Sequence, residues 1–363
     1  MRVLLLFTSS QLGGAERSLT RMALEDNNVD YFLATLDAEG PWCTWLRSLN
    51  KKPLVFGSGN GNLSLLWSIY RLFKFIRTSD INILYVCGAR ASFIIRILRF
   101  FIPETKIING IRWNPSSNSR LDVFSRVSER FLNAFIDAYI TNSQAAKNTL
   151  IERCGITDSK ITVIYNGIDL PLGKGSSLFS RPINILTVAN FNPRKGHVEY
   201  LEVVKNVLNI QPEVHFIFVG RDDMNSRVQH EIIKEGLENN ISCVGFQSDI
   251  SQYYKEARLF VLPSLWGEGC PTSILEAMSY GVPVVAYSVD GVMELISERK
   301  DGRVIEVKNY QKMSDAIIEL LKNTKLSIKY GLAGQKKVSE LFTLIASANN
   351  HEQVYTRLLN KSS

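Results

Sequence analysis

Two glutamates eight positions apart, Glu268 and Glu276, bracket the turn Gly269-Cys270-Pro271-Thr272, between an apolar run at 259–262 and a helical-period segment at 271–280. Pro271 suits the first helical position, where its missing N–H costs nothing. The amides from Gly269 to Ser273 are then expected as unpaired donors at a positive helix end, a seat for phosphate or sugar oxygens. A lone glutamate at a helix start is commonly a favourable dipole contact and no more. Two of them flanking this turn also read as acceptors for the hydroxyls of a polyol. A second segment, Ile185 to His197, carries Arg194 and Lys195 side by side at a strand-to-helix junction. Such a pair is either solvated surface or, beside an amide-lined helix end, the match for the two negative charges of a diphosphate. A third is the Gly13-Gly14 turn, where missing Cβ atoms let backbone approach a ligand closely.

Other chemistry is absent from the places it should occupy. The loop Gln11-Leu12-Gly13-Gly14-Ala15-Glu16-Arg17 is not the G-x-G-x-x-G of a dinucleotide fingerprint. Gly173-Lys174-Gly175 lacks the leading glycine and final hydroxyl of a P-loop, and His197, His215, His230 and His351 are scattered without H-E-x-x-H. No Asp-x-Asp pair stands ready for a divalent cation, so no metal and no cofactor are expected. Five cysteines (Cys43, Cys87, Cys154, Cys243, Cys270), odd in number and without C-x-x-C, read as small apolar residues of a reducing compartment.

The elements that must hold these residues follow from apolar periodicity. Short branched runs alternate with helical-period stretches, the pattern of βαβ units and parallel sheets. In the first half the runs are 3–7, 31–36, 83–87, 106–109, 138–141 and 161–164, with helical stretches near 15–26, 62–78, 90–101, 118–136 and 143–152. A segment rich in Gly, Pro and Ser from Asn166 to Ser177 breaks the series. Runs then resume at 183–189, 215–219, 241–244, 259–262, 284–286 and 304–305, with helices near 196–209, 226–239, 249–256, 271–280 and 310–322, and helix from about 325 onward. At 363 residues the chain is long enough for two domains. Expected boundaries are a lobe over 1–170, a linker over 171–182, a second lobe over 183–342, and a C-terminal helix over 343–363 that packs back on the first lobe. In doubly wound sheets ligands sit beyond the carboxyl ends of the strands, so two facing lobes give a cleft.

A composition of 45% hydrophobic and 21% charged residues excludes a collagen-like or disordered chain and a disulfide mini-scaffold. The net charge of +7 is concentrated: residues 71–130 hold eleven Lys/Arg against four Asp/Glu, and the rest of the chain balances. The same region is apolar and aromatic, notably Leu65–Arg77 and Phe93–Phe101. Such stripes suit helices on an anionic lipid surface; the alternative is ordinary domain helices with one solvated cationic face. Nucleic acid fits less well, because the aromatics lie in apolar helices. No run reaches the ~18 apolar residues of a membrane helix, and Val3–Phe7 is too short for a signal-peptide core. A cytoplasmic protein, peripheral on the inner face of the plasma membrane through 65–130, is expected.

Taken together these motifs resemble glycosyltransferase family 4, retaining enzymes of the GT-B fold. The likeness runs from Gly13-Gly14-Ala15-Glu16-Arg17, through Tyr165-Asn166-Gly167-Ile168-Asp169, to Glu268…Glu276 with Gly281-Val282-Pro283-Val284-Val285. It implies an α/β architecture of two Rossmann-like lobes and a nucleotide-diphosphate sugar as donor. It implies that Glu276 binds ribose hydroxyls and Glu268 the hydroxyls of the transferred sugar. Gly269, Cys270, Pro271 and Thr272 supply backbone contacts, Arg194 and Lys195 neutralise the diphosphate, and Gly13 and Gly14 close on the phosphates. Asn190 stands where the family usually carries an arginine, and Arg194 is the available replacement. The family's acceptor-side histidine has no match; Glu16, Asn109, Arg112 and Asn114 lie in that neighbourhood. The expected acceptor is a polyprenyl-linked saccharide of a surface polysaccharide. Two other functions fit less: a nucleotide-sugar-binding partner without chemistry, and a GT-B-like epimerase.

Overall fold

A computed structural model describes residues 1–57, 62–112, 120–171 and 178–360; Asn114 and Gly173-Lys174-Gly175 lie outside the described residues. The chain divides into two compact units, Met1–Gly167 with Leu344–Ser363, and Ile168–Thr343.

The first unit holds seven parallel strands, β1 (Arg2–Phe7), β2 (Asp30–Thr35), β3 (Leu54–Val55), β4 (Ile83–Cys87), β5 (Lys106–Ile111), β6 (Ala138–Thr141) and β7 (Ile161–Val163), in the order β3-β2-β1-β4-β5-β6-β7. Its helices are α1 (Gly14–Glu25), α2 (Pro41–Ser48), α3 (Asn62–Thr78), α4 (Ala89–Leu98), α5 (Arg120–Leu132) and α6 (Gln144–Cys154). Both faces of this sheet are covered, which is why its strands read as unbroken apolar runs. Leu4, Leu6, Leu84 and Val86 enter one core, while Val3, Leu5, Phe7, Ile83 and Tyr85 enter the other. That alternation is the period of two that a pleated strand imposes.

The second unit repeats the plan with β8 (Asn184–Val188), β9 (His215–Val219), β10 (Ile241–Gly245), β11 (Ala257–Leu262), β12 (Val284–Tyr287) and β13 (Gly302–Ile305), in the order β10-β9-β8-β11-β12-β13, again parallel. Around it lie α7 (His197–Leu208), α8 (Arg227–Lys234), α9 (Ser251–Glu256), α10 (Thr272–Ser279), α11 (Val292–Leu295), α12 (Tyr310–Lys322) and α13 (Thr324–Leu341).

The last helix, α14 (Leu344–Asn360), belongs to the first unit. Its Ala348, Val354, Tyr355 and Leu358 join the core containing Val3 and Tyr85, and Ser347 donates to the Tyr165 carbonyl at 3.4 Å. The helical region from 325 divides into α13 and α14, close to the division expected at 342/343. The break falls at Phe342-Thr343, where the Phe342 carbonyl leaves the helical ladder to accept from Ile168 N–H at 2.9 Å and Thr343 bridges Ile168. Three further elements escaped the periodicity: α2, α11 and the two-residue β3. The stretch read as helix to 239 stops at Lys234, because Gly236 turns left-handed (φ +68°).

Candidate functional site

In the second unit the strand order reverses between β8 and β11, the switch point at which doubly wound sheets bind ligands. The loop after β8 carries Arg194 and Lys195 in a 3₁₀ turn, Pro193–Lys195, and the loop after β11 carries Glu268 to Pro271. Adjacency of the strands makes the loops neighbours, and hydrogen bonds sew them together. Leu265 N–H donates to the Arg194 carbonyl at 2.8 Å, and Arg194 Nη1 donates to the Gly267 carbonyl at 2.8 Å. Gly196 permits the approach: it is left-handed (φ +69°), and a Cβ there would sit 2.3 Å from the Pro263 carbonyl oxygen.

Lys195 Nζ donates to Glu268 Oε1, in an ion pair whose side chains are 14% and 6% exposed. Burial works to raise the Glu268 carboxyl, but the Lys195 ammonium and the Arg194 guanidinium outweigh it and hold the group below its ordinary value. Burial lowers Lys195, with Glu268 opposing and Arg194 adding to the shift. The pair thus needs its two charges together: a buried charge stripped of its partner is strongly destabilising. An ammonium has three donors, so one hydrogen bond to Glu268 leaves Lys195 with capacity for an anion.

Helix α10 begins one residue later than the sequence suggests. Pro271, with ψ 112°, is the half-in residue before the helix and not its first member, and Thr272 starts the helical run. The turn Gly267–Pro271 is buried, whereas Thr272, Ser273 and Glu276 are half-buried and Trp266 is exposed. The open part of this helix start is therefore Thr272-Ser273, narrower than the expected run from Gly269. The cause lies outside the motif: Asp290 Oδ2 accepts from Gly267 N–H at 2.8 Å, and Gly291 N–H donates to the Glu268 carbonyl at 3.3 Å. Asp290 is itself left-handed (φ 43°). Glu276 is engaged by Tyr254, whose hydroxyl donates to Oε2 at 2.9 Å. Neither Asp290 nor Tyr254 was legible in the motif, since both reach it from other elements.

Asn190, read as donor-binding, is half-buried just beyond β8, and its Oδ1 accepts from Arg221 N–H at 3.1 Å. His197, packed against Phe191 and Phe218, is pushed down to about 3 by burial and by Lys195, so its ring is neutral at physiological pH. Cys270 is buried and outside any disulfide, as are Cys43, Cys87 and Cys154; Cys243 is half-buried. Among the described residues no group of three or more His, Cys, Asp or Glu is placed to hold a metal ion.

The first unit has its own reversal, between β1 and β4. Gly13 is the residue before α1, and its N–H donates to Glu16 Oε2 at 3.2 Å. A Cβ on Gly14 would meet nothing within 4 Å, so packing does not demand a glycine there. Arg112, just beyond β5 and buried, donates to Asn166 Oδ1 and, at 3.3 Å, to Ser18 Oγ. Asn109 is fully interior: its amide donates to Glu129 Oε1 at 2.8 Å, inside a buried ion pair of Glu129 with Arg96.

The basic window resolves into two populations. Arg96 is 1% exposed in its pair with Glu129, Arg99 pairs with Asp137, and Arg90 with Asp37. Arg71, Lys74, Arg77 and Arg130 are exposed. Around them lie exposed apolar side chains: Leu66, Trp67 and Tyr70 on α3; Ile97, Phe100 and Phe101 on and just after α4; Phe124, Val127 and Phe131 on α5. Ring contacts join the stripes, Phe73 to Phe101 at 6.3 Å and Phe93 to Phe124 at 6.0 Å. Phe100 and Phe131 are 71% and 73% exposed, which is far from the fate of core phenylalanines. No helix among the described residues is long and apolar enough to cross a membrane.

Comparison with known proteins covers nearly the whole chain. Residues 12–171 match the family model described as Glycosyltransferase Family 4, and residues 174–337 match Glycosyl transferases group 1. The chain is 24% identical over 287 residues to the UDP-Gal:alpha-D-GlcNAc-diphosphoundecaprenol alpha-1,3-galactosyltransferase of Escherichia coli, covering 74% of each. It is 30% identical over 218 residues to the N,N'-diacetylbacillosaminyl-diphospho-undecaprenol alpha-1,3-N-acetylgalactosaminyltransferase of Campylobacter jejuni, covering 56% of this chain and 55% of that one. The fold matches that of Anabaena HepE, solved in complex with UDP, with a TM-score of 0.85 at 22% identity, over 98% of this chain and all of the other. The α/β fold of two Rossmann-like units expected from the sequence is thereby established as GT-B.

Proposed function

Because the chain belongs to the glycosyltransferases, family 4 in its first half and group 1 in its second, we propose that it transfers a sugar, with retention of configuration, from a nucleoside-diphosphate donor to a polyprenyl-diphosphate-linked saccharide during surface polysaccharide synthesis. The observation that carries this reading is the group at the β8/β11 switch point: Lys195 paired with Glu268, and Arg194 bonded to the Gly267 carbonyl, before the start of α10.

In the step proposed, the bond between the sugar's anomeric carbon and the β-phosphate oxygen breaks. The acceptor hydroxyl oxygen bonds to the same face of that carbon, and its proton passes to the departing phosphate. Negative charge grows on the nucleoside diphosphate. Arg194, Lys195 and the Thr272-Ser273 amides stabilise it as it develops, commonly the largest catalytic effect; losing one such donor costs about 3–4 kcal/mol. Glu268 accepts from hydroxyls of the moving sugar and holds Lys195 in place. Glu276 accepts from the ribose, and Gly269, Cys270, Pro271 and Thr272 supply backbone contacts to sugar and phosphate. The reading gives Gly13 and Gly14 to the donor phosphates, and Glu16 and Arg112 to the acceptor. Charge neutralisation is assigned to side chains, so transfer is expected to survive EDTA.

The exposed aromatic and cationic face of α3, α4 and α5 is proposed as the contact with an anionic membrane, on the cytoplasmic side where nucleotide sugars are made. Purified protein is expected to float with vesicles containing phosphatidylglycerol and not with pure phosphatidylcholine. Replacing Phe100 and Phe131 by Ser should abolish flotation while leaving nucleotide binding intact; flotation unchanged in that variant would refute the assignment of this face.

The defining test is transfer. Thermal shift with UDP-, GDP-, CDP- and ADP-sugars selects the donor, since a ligand of the folded state raises its midpoint. The selected donor is then incubated with an undecaprenyl-diphosphate-linked saccharide. Product with the donor's anomeric configuration is expected. Binding without turnover, or epimerised free sugar nucleotide, would instead support the two alternatives, which the relatives named above do not favour.

A further inference from the structure

Tyr254 stands outside the motif that carries the donor site, yet its hydroxyl is the partner of that site's second glutamate. It lies on α9, 22 residues before Glu276 in sequence, and donates to Glu276 Oε2 at 2.9 Å; the Ser273 carbonyl, in the first turn of α10, lies 3.4 Å from the same hydroxyl. The phenol is fixed on every side. It is 1% exposed, its ring lies nearly flat on Tyr280 (5.6 Å, 13°), and Phe260 of β11 packs beside it at 6.1 Å. Its own carbonyl accepts from Arg181 Nη1 at 3.4 Å. A side chain so confined presents its hydroxyl in one direction. Glu276 is different: it is half-buried on the second turn of α10, with three rotatable bonds of its own.

We propose that Tyr254 is a positioning residue for recognition of the nucleoside's ribose: it fixes the Glu276 carboxylate in the orientation that accepts from the 2′- and 3′-hydroxyls. This rests on the assignment of Glu276 to the ribose. A glutamate free to rotate loses side-chain entropy when a ligand arrives. One already held by a buried phenol has lost it on folding, so less of the binding energy is spent at the moment of recognition. The hydroxyl also occupies one carboxylate oxygen and so directs the other. The proposal gives Tyr254 no contact with the reacting carbon or the phosphates, its hydroxyl being on Glu276. Its removal should therefore alter affinity for the ribose and leave turnover at saturation untouched.

The experiment compares wild type, Tyr254→Phe and Glu276→Ala by titration calorimetry. The probes are the nucleoside diphosphate selected by thermal shift (UDP, GDP, CDP or ADP) and its 2′,3′-dideoxy counterpart. Wild type is expected to prefer the ribose form, and Glu276→Ala to lose that preference. Tyr254→Phe should weaken binding of the ribose form about five- to tenfold, leave the dideoxy form unchanged, and raise KM without lowering kcat. A wild type without preference, or a Glu276→Ala variant that keeps it, overturns the ribose assignment and the proposal with it. With that assignment intact, a Tyr254→Phe variant that keeps the full preference, or that loses affinity for both probes equally, overturns the positioning role alone.

Discussion

Lys195 and Glu268 illustrate how one contact serves both stability and chemistry. Their ion pair is buried, so its net worth against an apolar replacement is small, but breaking it from one side is costly. Lys195→Ala is expected to reduce unfolding free energy by about 3 kcal/mol, read from urea denaturation, with part of the loss recovered in Lys195→Ala/Glu268→Gln. An unchanged midpoint in the single variant would contradict the pairing. Much of this was legible in the sequence, because cations and carboxylates of the right spacing announce themselves. What was not legible is which partner each would choose. Asn109, read as an acceptor-side group, is committed to Glu129, and Asn190, in the family's arginine position, holds the Arg221 amide. Those choices depend on residues brought near by the fold from 20 and 31 positions away.

Helix α10 owes its place to α13 behind it. Gly331 and Gly334 of α13 face it: a Cβ on Gly331 would lie 2.0 Å from the Gly281 carbonyl oxygen, and one on Gly334 3.0 Å from Met278 Cγ. Two effects compete at Gly331. Alanine is the better helix former by about 1 kcal/mol, but the clash is with backbone that cannot rotate away, and overpacking costs about 1–3 kcal/mol or more. At 2.0 Å the clash should win, so Gly331→Ala is expected to lower the thermal midpoint. A raised midpoint would show that α13 can withdraw freely. The glycines pass unnoticed in the sequence, where nothing distinguishes a packing glycine from a helix defect. Buried parallel strands such as β4 were legible to the residue, because a strand covered on both faces reads as a near-continuous apolar run; α2 and α11 were not legible.

At the scale of the whole molecule, each unit encloses one neutral histidine. His197 lies in the second, and His351 of α14 lies in the first, stacked on Tyr85 at 5.8 Å. Burial pushes both rings down from 6.5 to about 3, with Lys195 adding to the shift at His197 and Arg112 at His351. Between those values the unfolded chain binds protons that the folded chain does not. Stability is therefore fully present above pH 6.5 and falls as the pH drops toward 3, by up to about 1.4 kcal/mol per pH unit for each ring. Denaturant titrations at pH 7 and 5 should show this loss, and His351→Phe should reduce it. Equal stability at both values would contradict the burial. The sequence located the cationic excess of 71–130 but not its division, since only the fold separates Arg96, paired inside, from Arg71 and Lys74, left exposed.

The most direct test of the account is whether Arg194 meets phosphate. Wild type and Arg194→Ala are titrated with a nucleoside, its monophosphate and its diphosphate, the base being that of the donor selected by thermal shift. A charge-assisted hydrogen bond is worth about 1.5–3 kcal/mol, so the substitution should weaken the diphosphate by about tenfold to a hundredfold, the monophosphate less, and the nucleoside not at all. An equal loss for all three, or none for the diphosphate, would contradict the assignment of this site.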